Sequence, residues 1–395
     1  MRGRDRRLHA ARAPFAAIAP LYAGFLFCGI VTVLLGLLLP RIAALYHLND
    51  SQCGALLTVQ FGASASGALL VRRRYGLTLV GGYLLVVAGT LPLLLGATAV
   101  TLPAIAVAGL GLGMAMTSTS LLISRLFRER CGSALSLLNF FWSLGATLCP
   151  LLVAPLPARF SVAEVAAPVA AGALALAGAV LPGARAASSR ASSEGVSSVR
   201  APSAPLPILL VFAAVAFLYV GAEATAGGWM STYAGRALPW SFARGNLAAG
   251  CFWGMLLLGR GVTPLVLRRV REVQLHRLSI AVALIGMALL VMANSAFTLL
   301  AGAACTGLAL APVFPLTLSL FLERVGQAPN AGWVFAAAGY GGMVFPLLTG
   351  FVSSGTHSLR IGLVVALAAV AGMLFLTTRL AAGRRTALES APAGS

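Results

Sequence analysis

Apolar residues in this chain come in long unbroken blocks, set apart by short polar and arginine-rich breaks. Wound as a helix, a block of about 18 residues or more crosses the hydrocarbon core of a bilayer, about 30 Å thick. Twelve such segments are expected, at roughly 16–40, 52–71, 77–98, 101–123, 133–155, 163–183, 207–234, 243–267, 276–294, 297–321, 330–353 and 360–380. Between the sixth and seventh lies "GARAASSRASSEGVSSVRAPSAPLP", rich in Ser, Ala, Pro and Arg, which reads as a flexible polar linker. The expectation is an all-α polytopic membrane protein. A six-helix bundle (1–183) and a cytoplasmic linker (184–206) precede a second six-helix bundle with a short cytoplasmic tail (207–395).

Of the 395 residues, 59% are hydrophobic and 9% charged, against about 25% charged in soluble proteins; a soluble enzyme is excluded. The start "MRGRDRRLHAARAP" is basic, but the apolar stretch behind it runs on without a small-residue cleavage site. A first membrane helix is expected, not a cleaved signal peptide. A net charge of +19 would suggest nucleic acid in a soluble chain. Here the arginines follow topology instead, and no nucleic-acid partner is expected. With the N-terminus inside, 22 arginines fall on inner segments and 5 (Arg41, Arg159, Arg236, Arg244, Arg360) on outer loops, with Arg260 inside the membrane. The positive-inside rule then puts both termini in the cytoplasm, in a multi-pass protein of the cell inner membrane.

All 28 basic residues are arginine, as G+C-rich codon usage would give. Without lysine there is no GK[ST] phosphate loop and no Schiff-base lysine. Six scattered cysteines form no CxxC pair, four histidines show no HExxH spacing, and GxSxG and paired carboxylates are missing. Neither enzyme nor metal nor cofactor is expected.

The halves repeat each other. "FLFCG" at 25–29 matches "FLYVG" at 217–221, and "LFRER" at 126–130 matches "LFLER" at 320–324. Gly145 and Pro150 in "GATLCPLL" match Gly341 and Pro346 in "GGMVFPLL". The offsets are 192, 194 and 196, in corresponding segments. Duplicated six-helix bundles around a linker are a recurrent transporter architecture.

Over essentially the whole chain this pattern resembles the major facilitator superfamily. "FLYVGAEATAGGWMSTYA" looks like helix 7 of its fucose:proton and glucose/galactose symporter group, supported by "FWGMLLLGR", "GLALAPVFPLTLSLF" and "GWVFAAAGYGGMVFPLLTG". The resemblance implies a twelve-helix secondary transporter, working by alternating access, that takes up a neutral sugar or sugar-like solute with protons. Sodium as the coupling ion stays open, and a monomer is expected. Two departures stand out. The loop after the second segment, "GALLVRRRYG", has Val71 where the superfamily has aspartate. The first half also lacks the membrane acids of the fucose symporter: segment one has none and segment four none before Glu129. Two other readings remain: an exporter of drugs or amphipathic metabolites, and a non-transporting sensor on the same fold.

Glu223 is the acid that lies well inside a membrane segment, roughly 24 Å from its inner end by the helical rise. Intramembrane acids mark functional sites by default; proton or cation coupling, a bond to a sugar hydroxyl and a fixed interhelical bond are all open to it. Gly221, Gly227 and Gly228 surround it and permit bending or close packing. Trp229 and Tyr233 lie off to one side of the same helix, as a cavity wall or an aromatic belt. Gln60, Asn139 with Trp142, and Asn330 with Trp333 at the same spacing are the polar and aromatic groups that suit a neutral polyhydroxyl solute; Trp253 can join them. Arg260 lies about 12 Å from the inner end of the eighth segment. That depth is expected to separate it from Glu223 and leave it a gating role. Glu129–Arg130 and Glu323–Arg324 end segments four and ten and are candidate inner-gate ion-pair partners for Arg72–Arg74 and Arg268–Arg271.

Overall fold

The computed structural model describes residues 15–71, 74–95, 100–127, 131–156, 161–191, 204–239, 242–325 and 332–389. The helices are α1 (Phe15–Tyr46), α2 (Asp50–Leu69), α3 (Tyr75–Thr90, continued by a 3-10 turn to Leu95), α4 (Thr101–Leu126), α5 (Cys131–Val153) and α6 (Val162–Ala191). Beyond the undescribed stretch follow α7 (Leu206–Ala237), α8 (Phe242–Val266), α9 (Glu272–Val291), α10 (Ala296–Leu310), α11 (Val313–Val325), α12 (Gly332–Thr356), α13 (Leu359–Gly362) and α14 (Val364–Glu389). All twelve expected segments are helical, and no strand occurs among the described residues. Helix is the element that satisfies every backbone donor and acceptor internally where water is absent.

Eleven spans, with α10 and α11 taken as one, are long and apolar enough to cross a membrane. The remaining segment, α2, is more polar: Gln52, Gln60 and four Ser or Thr residues interrupt its apolar run. The sixth helix, α6, continues to Ala191. The tenth segment breaks between Leu310 and Val313. Pro312 has no N–H, so the carbonyl of Leu308 loses its helical donor there. The lower half restarts at Val313, while the upper half opens on a capping box between Ser295 and Thr298.

The described chain forms two compact units. One falls within Met1–Thr32, Ala63–Ala146 and Arg159–Val196; the other within Val33–Gly62, Thr147–Ala158 and Ser197–Ser395. Lipid tails are as apolar as leucine, so close packing, not water exclusion, brings helices together in a membrane. Glycines make that possible inside each unit. In the first, a Cβ on Gly82 or on Gly111 would strike the other's carbonyl oxygen, which fixes α3 against α4. Gly113 lies against the backbone of Ser64, and Gly145 against the carbonyl of Leu26. In the second unit Gly307 lies against the carbonyl of Phe252, and Gly341 against that of Phe217. Gly113 and Gly307 are 194 positions apart, Gly145 and Gly341 196. The spacing of the sequence repeat therefore recurs as matched glycine contacts.

Gly113→Val and Gly307→Val each place a branched side chain into a neighbouring backbone. Each is expected to destabilise the protein by about 1–3 kcal/mol, read as a lower Tm of the detergent-purified protein. Unchanged Tm values in both variants would show that these approaches do not hold the units together.

Candidate transport site

Glu223 lies midway along α7, buried, with 8% of its surface exposed. Its Oε1 accepts a hydrogen bond from Arg260 Nη2 on α8 at 3.4 Å. This corrects the expectation that depth keeps the two apart. Depth counted from the inner ends of two helices of unequal length misleads. Counted from the loop the helices share, Glu223 is 14 residues before the end of α7 and Arg260 is 18 residues after the start of α8. The difference is about 6 Å at 1.5 Å per residue, within reach of an arginine side chain. At 3.4 Å the contact is longer than the roughly 2.7–2.9 Å of a tight charge-assisted bond.

The walls around this pair come from three elements. Tyr219, one turn before Glu223 on α7, is 1% exposed and stacks on Phe314 with ring centres 5.6 Å apart. Phe314 is the second residue of α11, just past the helix break, and meets Phe335 of α12 edge-on at 6.3 Å. Gly259, beside Arg260, touches the other lip of the break: a Cβ there would lie 2.7 Å from the Leu308 carbonyl oxygen. The interrupted helix thus adjoins both helices that carry the ion pair. Interrupted membrane helices are where transporters place their binding sites.

The glycines around Glu223 each answer to close neighbours. Gly221 makes room for the Phe345 ring, Gly227 for the Trp253 indole, and Gly228 for Leu57 and Gly36. Trp229 is fully buried and its indole N–H donates to the Pro346 carbonyl at 3.2 Å. Tyr233 is also buried and donates to the Leu290 carbonyl. Trp253 is 4% exposed, and its carbonyl accepts from Thr147. Gln60 is buried on α2. Asn139 is exposed and donates to the Leu135 carbonyl of its own helix, while Trp142 is half-buried. Trp333 is 66% exposed. Asn330, Glu129, Arg130, Arg72 and Arg73 lie outside the described residues. Glu323 is exposed, and Arg324 sits over the Phe212 ring at 5.2 Å. Near that end α9 is tied to α11 by other groups. Ser319 donates to Glu272 at 2.8 Å, and Thr317, its own proton given to Val313, accepts from His276 Nε2 at 2.8 Å.

A second ion pair went unread in the sequence. Asp50, at the start of α2, receives both guanidinium nitrogens of Arg236 at 2.7 Å, from the end of α7. Ser353 of α12 donates to the same carboxylate, and Ser354 accepts from the Ser51 N–H at 2.8 Å. Both turns beside this clasp close through a left-handed histidine, His47 and His357, each with φ 52. Leu48 N–H reaches back to the Ala43 carbonyl and Ser358 N–H to that of Ser353. Nothing in the spacing of Asp50, Arg236 and Ser353 signals this meeting. An N-terminal Asp on α2 was the one available clue.

Burial alone would raise the Asp50 carboxyl, but the hydrogen bonds from Arg236 and Ser353 and the Arg236 charge outweigh it and hold the group below its ordinary value.

The Major Facilitator Superfamily model matches residues 21–331, and the chain belongs to that family. It is a multi-pass membrane transporter, not an enzyme. Comparison with curated proteins finds no significant sequence match. Among solved structures it is similar to the transporter FucP in its outward conformation, with a TM-score of 0.64 and 17% identity over 91% of this chain and 97% of that one. A second structure, of the E. coli fucose:proton symporter FucP in mutant form, matches with a TM-score of 0.55, 17% identity and the same coverage. The nucleoside transporter NupG, also in mutant form, matches with a TM-score of 0.69 and 13% identity over 93% of this chain and 99% of that one. At such identities the likeness is one of fold.

Asp50→Asn is expected to lower stability by on the order of 1 kcal/mol, since Arg236 is partly solvated. Because the folded carboxyl titrates lower than the unfolded one, its contribution is complete above about pH 4 and is lost as pH falls through the folded value. The Tm gap between the parent protein and Asp50→Asn should stay constant from pH 8 to 5 and close below pH 4. A gap that closes near neutrality would refute the tight pair.

Proposed function

We propose that this transporter takes up a neutral sugar or sugar-like solute across the inner membrane, driven by protons that load onto Glu223. The single observation that carries this reading is the loose, part-buried Glu223–Arg260 pair at 3.4 Å beside a broken helix. Its two charges cancel, so the site as a whole favours an uncharged solute. The names of the structural neighbours agree: one is a fucose:proton symporter and another a nucleoside transporter, and both solutes are uncharged and rich in hydroxyls.

Proton coupling follows from the same pair. A proton bonds to the Glu223 carboxylate covalently and needs no coordination shell, whereas sodium would have to share the carboxylate with a guanidinium. Protonation frees Arg260 from its counter-ion and so loosens α7 from α8 at the helix break. Gln60 is assigned to the solute; Trp229, already bonded to Pro346, is assigned to holding α12. The moving bodies are the two six-helix halves, 1–183 and 207–395, joined by the linker 184–206, in a monomer with both termini cytoplasmic. In that orientation the Asp50–Arg236–Ser353 clasp closes the outer end, and the inner ends carry the Glu323–Arg324 and Glu129–Arg130 motifs as gates.

In proteoliposomes, Glu223→Gln is expected to abolish accumulation driven by a pH gradient while leaving solute counterflow. Accumulation that persists in full would remove Glu223 from the coupling.

A further inference from the structure

The turn between α8 and α9, residues 267–271, holds charge that the fold does not use. Its backbone is tied down: Leu267 N–H donates to the Thr263 carbonyl and Val270 N–H to that of Val266, each at 3.0 Å. Arg268, Arg269 and Arg271 all project from it and are exposed. Among the described residues none of the three forms an ion pair or a side-chain hydrogen bond. The acids nearby do not answer them. Glu272 accepts from Ser319, and Glu323 is exposed and pairs with none of them. Other arginines at helix ends have internal partners. Arg125 donates to the Tyr75 hydroxyl at 3.3 Å and lies 4.3 Å over that ring, and Arg324 covers Phe212. Three like charges held within four residues repel one another, and an anion between them relieves that.

Apolar tracks lead away from the turn on both sides. Leu258, Val262 and Leu265 are exposed on α8 at spacings of four and three, a single stripe running down to the arginines. On α9, Leu278 and Ile285 are exposed seven residues apart, and Arg271 precedes Leu278 by the same interval. The α9 stripe therefore also ends on a guanidinium. Both helices pack on α10 and share no comparable contact with each other, so the stripes are separate tracks. α8 and α9 are each long and apolar enough to cross a membrane. That places the stripes at the depth of lipid tails and the turn at the level of the headgroups. One phosphate carrying two acyl chains is the plan of a glycerophospholipid. Three positive charges favour an anionic headgroup over a zwitterionic one, whose ammonium they would repel.

We propose that this turn is a binding site for one anionic glycerophospholipid: Arg268, Arg269 and Arg271 hold its phosphate, and its acyl chains lie along the α8 and α9 stripes. The proposal depends on neither the solute nor the coupling ion. It ties a bilayer lipid to α8, the helix that carries Arg260.

The test is native mass spectrometry of the detergent-purified full-length protein, titrated with phosphatidylglycerol against phosphatidylcholine. The parent protein should retain one phosphatidylglycerol in preference to phosphatidylcholine. Each of the three arginines replaced by Gln should weaken that retention about fivefold, and the triple variant should lose it. Arg125→Gln removes the same charge elsewhere and should keep it. Equal losses in Arg125→Gln and Arg269→Gln would reveal a diffuse surface charge and overturn the site. So would a parent protein that does not distinguish the two lipids. If the triple variant does not fold, the single variants Arg269→Gln and Arg271→Gln decide the matter against Arg125→Gln. Inorganic phosphate that strips the bound phosphatidylglycerol would make the turn a free-anion site and also overturn the lipid assignment.

Discussion

A carboxylate and a guanidinium held together inside an apolar helical protein set the terms for everything around them. Each would cost several kcal/mol if desolvated alone. Together, at 3.4 Å through a single nitrogen, they recover only part of that. A clamped tyrosine, a glycine beside the arginine and a helix interrupted by Pro312 all converge on the same spot. None of these features improves packing as well as plain aliphatic residues would. Their coincidence is what marks the spot as a candidate site.

The unit that holds this pair also holds its opposite. Asp50 and Arg236 meet through two 2.7 Å bonds, and Arg236 is half exposed. That pair is well formed and cheap to hydrate; the Glu223–Arg260 pair is longer and far less exposed. The first suits a fastening and the second suits a group that must change state. Close glycine contacts, repeated at matched positions in the two units, supply the rigid backing against which such a change can be felt.

Much of the fold could be read from the chain. Block length gave the helices, and the recurrence of Gly145 at Gly341 anticipated how α5 meets α1 and α12 meets α7. Glu223 was legible because an acid among apolar residues has few explanations. Its partner was not, because depth was counted from the inner ends of two helices of unequal length. Tyr219 escaped notice because a tyrosine in an apolar run reads as packing; its place one turn from Glu223, stacked on Phe314, emerges only from the fold. Asp50, Arg236 and Ser353 are separated by more than a hundred residues at each step, and no periodicity joins them. α2 marks the opposite limit: its polarity obscures a helix that the pattern of segments nonetheless demands.

Among the described residues Glu223 is the acid set deep within a span, and under the proposed coupling that carries a thermodynamic ceiling. One titrating group would ferry one proton per turnover, and each tenfold difference in proton concentration is worth about 1.4 kcal/mol. Without a membrane voltage, a one-unit pH difference would therefore concentrate an uncharged cargo about tenfold and no further. Steeper enrichment would have to draw on the electrical potential, since the loaded carrier moves one net positive charge with its cargo.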